Sequence, residues 1–216
     1  MTDHTSISTD SEYTVWETKS ASREIRLLAI SVMFSALAVA SSSVLVFIPN
    51  LETLTLIFFL VGYRYGMRAG SGVAIISTIL YEFVASAVWG PSGLIFFFKF
   101  PPYLFVACLG GLLGQKRRII EKNEAIDENQ EGFADEGEPW SLLFGIIGIF
   151  ASLVYDLSTT VGFLVWTSEL SLGSIIFYMM TGLLFTVMHS ATNFVMFLTI
   201  PQINRSLDRV DPLLNN

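Results

Sequence analysis

The sequence predicts an all-α integral membrane protein, a bundle of about six transmembrane helices with both termini in the cytoplasm. Of 216 residues, 52% are apolar and 14% are charged, and the mean hydropathy is +0.60; a soluble domain is normally less apolar and more charged. The apolar residues gather into runs long enough to cross a bilayer. When those runs number six, every one of the 12 Lys and Arg residues except Lys99 falls on one side.

A span needs about 20 apolar residues, because about 30 Å of hydrocarbon is crossed at about 1.5 Å of rise per residue. The runs lie at 27–47, 51–66 (short), 69–89, 94–113, 141–166 and 172–200. Lys19, Arg23 and Arg26 precede the first. Arg64 and Arg68 sit between the second and third, Lys116, Arg117, Arg118 and Lys122 follow the fourth, and Arg205 and Arg209 follow the sixth. Basic residues near span ends are retained in the cytoplasm, and acidic ones carry little weight in orientation. The net charge of −7, much of it from Asp3, Asp10, Glu12, Glu17 and the stretch 121–138, therefore does not oppose the assignment.

Residues 1–22 read as a disordered polar tail, 23–205 as the membrane domain and 206–216 as a C-terminal tail. An acidic cytoplasmic loop, 115–139, separates a four-span part from a two-span part. Arg26, an apolar run and Ala38-Val39-Ala40 before Ser41 also resemble a cleavable signal peptide. Against that, the preceding residues are long and acidic for an n-region, and apolar residues resume at 44–48. Cys108 is the sole cysteine, which excludes a disulfide framework or a cysteine metal site and suggests a small core residue. No GxxxxGK[ST], HExxH or GxSxG motif occurs, and no internal repeat is evident. Any ATP chemistry is therefore expected from another chain, and no catalytic residue, metal, cofactor or nucleic-acid partner is expected.

An ionisable residue inside a membrane is costly enough to be a functional hypothesis by default. Glu82 lies in the third run with Thr78 and Ser86 four residues to either side, a polar stripe on one helical face. Asp156 in the fifth run repeats the construction with Ser152 and Thr160. The sixth carries Thr186, His189 and Asn193 on one face. These groups either serve a ligand or hydrogen-bond one another as helix glue.

The loops on the outer side, Pro49-Asn50-Leu51-Glu52 and Trp89-Gly90-Pro91-Ser92-Gly93, are compact and turn-forming, fit to roof a cavity. Lys99 precedes Pro101 and Pro102, which are expected to break the fourth helix near its outer end. It is a candidate site residue or a snorkelling interfacial lysine. Trp89 and Trp166 suit interfacial anchoring or, second, ligand stacking. The candidate substrate site is thus Asn50, Glu52, Glu82, Trp89, Lys99, Asp156, His189 and Asn193. On the first helix, Ala29, Ala36, Ala40 and Ser43 share a small-residue face that admits close approach of another helix or serves internal packing.

Taken in order, several segments resemble the substrate-binding S components of energy-coupling factor (ECF) vitamin transporters. They are Ser35-Ala36-Leu37-Ala38, Pro49-Asn50-Leu51-Glu52-Thr53-Leu54-Thr55-Leu56 and Gly62-Tyr63-Arg64-Tyr65-Gly66-Met67-Arg68-Ala69-Gly70. Trp89-Gly90-Pro91, Gly110-Gly111-Leu112-Leu113-Gly114, Tyr155-Asp156-Leu157 and His189-Ser190-Ala191-Thr192-Asn193 complete the pattern, which spans residues 27–205. The resemblance implies a plasma-membrane subunit that captures a vitamin or cofactor precursor from outside. It would dock on a transmembrane coupling protein driven by two ATPases and topple to release its load inside. An AxxxA-type motif on the first helix forms the docking face in that family. Ala36 and Ala40 match its spacing, and Ser31/Ser35 and Ala38/Ser42 are neighbouring registers. The pattern is nearest to members assigned to cobalamin or left unassigned. Two other classes stay open: a stand-alone secondary transporter using the carboxylates for coupling protons, and an intramembrane enzyme or membrane scaffold.

Overall fold

The computed structural model describes residues 8–48, 53–126 and 137–210, with side chains over 24–48, 53–120 and 141–207. Its elements are α1 (Ser8–Val44), α2 (Leu54–Tyr65), α3 (Met67–Trp89), α4 (Ile95–Ile126), α5 (Gly137–Trp166), α6 (Leu172–Thr181), α7 (Leu183–Leu198) and α8 (Ile200–Val210), with no strand among the described residues. A helix satisfies every backbone N–H and C=O within its own segment, as hydrocarbon solvent demands. Among the described residues, five stretches are long and apolar enough to cross a membrane: Glu24–Val44, Met67–Trp89, Ile95–Ile120, Ser141–Trp166 and Leu183–Leu207. They expose large apolar side chains such as Val44, Phe83, Phe97 and Leu184. The protein is a multi-pass, all-α membrane bundle.

Several boundaries depart from the sequence reading. Residues 8–22, read as disordered, continue α1; Glu, Lys, Ala and Arg are good helix formers, and Asp10 and Glu12 suit a helix start. Likewise α4 runs through 115–126, read as loop, and α8 reaches Val210. The run 172–200 is broken at Gly182, whose N–H closes α6 on Tyr178 O at 2.9 Å. Glycine is a poor helix interior residue, and the long apolar stretch begins after it. Helix α4 is not interrupted at Pro101 and Pro102. Proline removes the N–H that would bond the carbonyl four residues back, and Ser158 Oγ of α5 donates to Phe98 O at 2.6 Å in place of Pro102.

Helix α2 has 12 residues, about 18 Å of rise, well short of the hydrocarbon thickness. It is buried on all sides except at Leu56 and its last turn, as a helix apolar all round should be. One face packs with Phe34 and Ala38 of α1, Val73 and Ala74 of α3 and Tyr103 and Ala107 of α4. The other meets Val106 of α4, Phe144 and Ala151 of α5, and Phe197 and Ile200 of α7 and α8. Thr53 Oγ1, just before α2, bonds the Ser41 and Ser42 hydroxyls at 2.6 and 2.9 Å. Trp89 Nε1, at the end of α3, donates to Val46 O at 2.9 Å. The ends of α1 and α3 therefore meet, and the short α2 carries the chain back between them.

Apolar burial gives no driving force between helices in lipid, so close contact takes its place. Gly110 and Gly114 of α4 lie against the carbonyl oxygens of Phe59 and Tyr63, and Gly62 lies against that of Ala107. A Cβ on Gly148 of α5 would stand 2.6 Å from Asn193 O of α7. Gly66, at φ 96°, turns α2 into α3 in one residue, a conformation open to glycine. Arg64, Arg68, Lys116, Arg117 and Arg118 mark this turn and the continuation of α4 beside it as the basic end of the bundle.

Candidate functional site

Glu82 and Lys99 form an ion pair between α3 and α4. Lys99 Nζ lies 2.6 Å from Glu82 Oε2, with side chains 17% and 13% exposed, and donates also to Ser92 Oγ at 2.9 Å. Lys99 is thus paired across the bundle, not merely extended toward the interface. The stripe below it is self-contained, since Thr78 Oγ1 donates to Ala74 O at 2.6 Å. Glu82 Oε1 is buried and takes no hydrogen bond from a described residue.

A second polar group joins α5 to α7. His189 Nδ1 lies 2.9 Å from Asp156 Oδ1, and Asn193 Nδ2 donates to Ser152 Oγ at 2.8 Å. Ser152 Oγ in turn approaches His189 O at 3.3 Å. The spacing of four residues on both helices lets each pair sit one turn from the next. Asp156 Oδ2 and Asn193 Oδ1 are buried and take no hydrogen bond from a described residue. An unused buried acceptor costs about 1–3 kcal/mol, so such atoms call for an explanation beyond packing.

Glu82 and Asp156, placed in one site by sequence, thus belong to separate pairs. An aromatic column runs between the helices that hold them: Phe58 of α2, Tyr103 of α4, Tyr155 of α5 and His189 of α7 follow at centroid separations of 5.2, 5.0 and 5.7 Å. Tyr103 is four residues from Lys99 and Tyr155 adjoins Asp156, so the column touches both groups' helices at neighbouring turns. One turn beyond Asp156, an open groove of ≈ 350 Å³ is lined by Ile95, Thr159, Thr160, Phe163 and Tyr178. None of the three unused acceptors lines it.

Trp89 is 63% exposed with its indole N–H tied to Val46, a geometry that fits interfacial anchoring. Asn50 and Glu52 lie outside the described residues. On α1, Ala36 and Ala40 are exposed, whereas Ala38, Ser35 and Ser42 are buried. Of the three registers, Ala36/Ala40 is therefore the outward one. Among the described residues no cluster of His, Cys, Asp and Glu is fit to hold a metal.

Sequence reasoning missed Ser158 and Tyr103, and named Ser92 and Tyr155 only within segments, without a role for either side chain. The partner of Lys99 was within reach: two opposite charges near one end of consecutive spans are expected to meet, since neither is tolerated alone. Comparison with protein-family models, with curated proteins and with solved structures gave no match.

Proposed function

We propose that the chain is the substrate-binding S component of an ECF-type importer in the plasma membrane. It takes up a vitamin or cofactor precursor, with a lean to cobalamin-type compounds, and passes it through a coupling protein and two ATPases. The observation that carries the reading is the presence of buried acceptors Glu82 Oε1, Asp156 Oδ2 and Asn193 Oδ1 on three helices, with an aromatic column between the two pairs and an open groove one turn from Asp156. A ligand pocket is mostly apolar with a few placed polar groups, and these atoms suit a ligand bearing N–H or O–H donors. The outward Ala36/Ala40 face supports docking of a partner helix.

The test is a titration of the purified chain in lipid nanodiscs against cobalamin, riboflavin, thiamine and biotin, followed by tryptophan fluorescence. Binding of one of them is expected, and Glu82→Gln or Asp156→Asn should weaken it by roughly one to two orders of magnitude. Helix glue instead predicts unchanged affinity with a lower melting temperature. Ala36→Trp should abolish ATP-driven uptake while leaving binding intact. The Asp156–His189 pair is also the kind of group that relays protons in secondary transporters. Uptake by proteoliposomes holding this chain without ATPases would favour that second reading.

A further inference from the structure

At the basic end, α2 stops, α3 starts and α4 leaves the apolar zone at one corner. Gly114 of α4 lies against the Tyr63 carbonyl and Gly111 against Met67, so Lys116, Arg117 and Arg118 follow directly beside the α2–α3 turn. Arg118 Nη1 donates to Tyr63 O and Arg64 O at 3.3 and 3.1 Å, which caps the last carbonyls of α2. Arg117 stacks on the Tyr63 ring at 5.9 Å. Arg68, Lys116, Arg117 and Arg118 are all exposed.

Membrane insertion alone accounts for basic residues at one end. It does not account for their convergence from α3 and α4 on one corner, nor for the fixing of Arg118 by two backbone carbonyls. A guanidinium carries five N–H donors; these two bonds use Nη1 alone, and both acceptors are neutral. The charge of Arg118 is thus left uncompensated by a carboxylate among the described residues. Exposed apolar surface continues toward the membrane interior: Leu112, one turn before Lys116, is 53% exposed. Positive charge above and apolar surface below match the two halves of a phospholipid, whereas free phosphate has no use for the lower half.

We propose that this corner binds an anionic phospholipid, with its phosphate on Arg118, Lys116 and Arg68 and its acyl chains leaving along Leu112. The site is independent of what the chain transports. Native mass spectrometry of the full chain in detergent, titrated with phosphatidylglycerol and with phosphatidylcholine, is the test. Each basic residue near an anionic lipid surface contributes about a fivefold gain in affinity, so phosphatidylglycerol should bind well above phosphatidylcholine. Arg118→Gln should lower that preference but also removes the cap on α2. The deciding variant is therefore Arg68→Gln with Lys116→Gln, both exposed, which should weaken phosphatidylglycerol roughly 25-fold and leave phosphatidylcholine unchanged. Equal binding of the two lipids by the parent chain, or undiminished phosphatidylglycerol binding by the double variant, would overturn the proposal. So would thermal stabilisation by inorganic phosphate equal to that by phosphatidylglycerol, which assigns the corner to a free anion.

Discussion

Removing both members of the Lys99–Glu82 pair should destabilise the bundle by clearly less than the sum of the two single losses. The contact is 2.6 Å long and both side chains are more than four-fifths covered, so loss of one partner strands a charge in a poorly solvated site. Breaking a buried pair from one side costs about 3–5 kcal/mol; residual exposure places this pair at the lower end, about 3 kcal/mol for Lys99→Met or Glu82→Gln, and in the latter the Ser92 hydroxyl stays within reach of Lys99. Hydrogen bonds to charged groups contribute about 1.5–3 kcal/mol, while neutral bonds between membrane helices reach at most about 1.7 kcal/mol. A coupling near 2 kcal/mol follows, so the double variant should lose about 4 kcal/mol, not 6. Unfolding with dodecyl sulfate in mixed micelles, followed by circular dichroism for parent, singles and double, measures all four corners of the cycle. Additivity within about 0.5 kcal/mol would refute the reasoning, since independent sites behave that way.

Gly114→Val drives a side chain into the Tyr63 carbonyl, and separation of α2 from α4 should lower the melting temperature severely, whereas Gly72→Val, with open space around it, should be tolerated. Ser158→Ala removes the donor to Phe98 O and should cost about 1 kcal/mol on the same unfolding scale, because the proline cannot replace it. For topology, cysteines at Ser92 and Glu169 in a Cys108→Ala background should react from outside with an impermeant thiol reagent and one at Asn123 should not; the reverse labelling would invert the orientation.

Composition and run length made the membrane class legible, because bilayer thickness acts on the sequence as a simple length rule. The finer divisions follow other physics. Gly182 ends a helix inside an unbroken apolar run, and hydropathy does not register a backbone preference. Residues 8–22 are polar, and polarity says nothing against a helix that continues beyond the bilayer. Pro101 and Pro102 suggested a break that a carbonyl acceptor and a serine from another helix prevent, a tertiary contact with no local signature. In the site, periodicity found the polar stripes around Glu82 and Asp156 but not their partners. Which helix lies beside which is decided by glycine contacts such as Gly148 against Asn193, and the sequence marks those glycines without naming what they meet.

The pairing also constrains the chemistry of a ligand for the proposed site. Lys99 neutralises Glu82 through Oε2 and leaves Oε1 as an acceptor within a pair of no net charge. Asp156 is engaged through Oδ1 by His189 and leaves Oδ2 as a further acceptor, and Asn193 adds a neutral amide oxygen. An anionic ligand placed against any one of these acceptors would set its own oxygen against another oxygen, at the cost of a poorly compensated buried charge. A cation beside Glu82 would unbalance a pair that Lys99 already neutralises. A neutral ligand rich in amide or hydroxyl donors meets neither penalty, and its rings have Tyr103 and Tyr155 to pack on. Among the four vitamins in the screen, amide-rich cobalamin should therefore bind ahead of cationic thiamine and the carboxylate of biotin. Preferential binding of either charged compound would mean that the ligand does not address these acceptors.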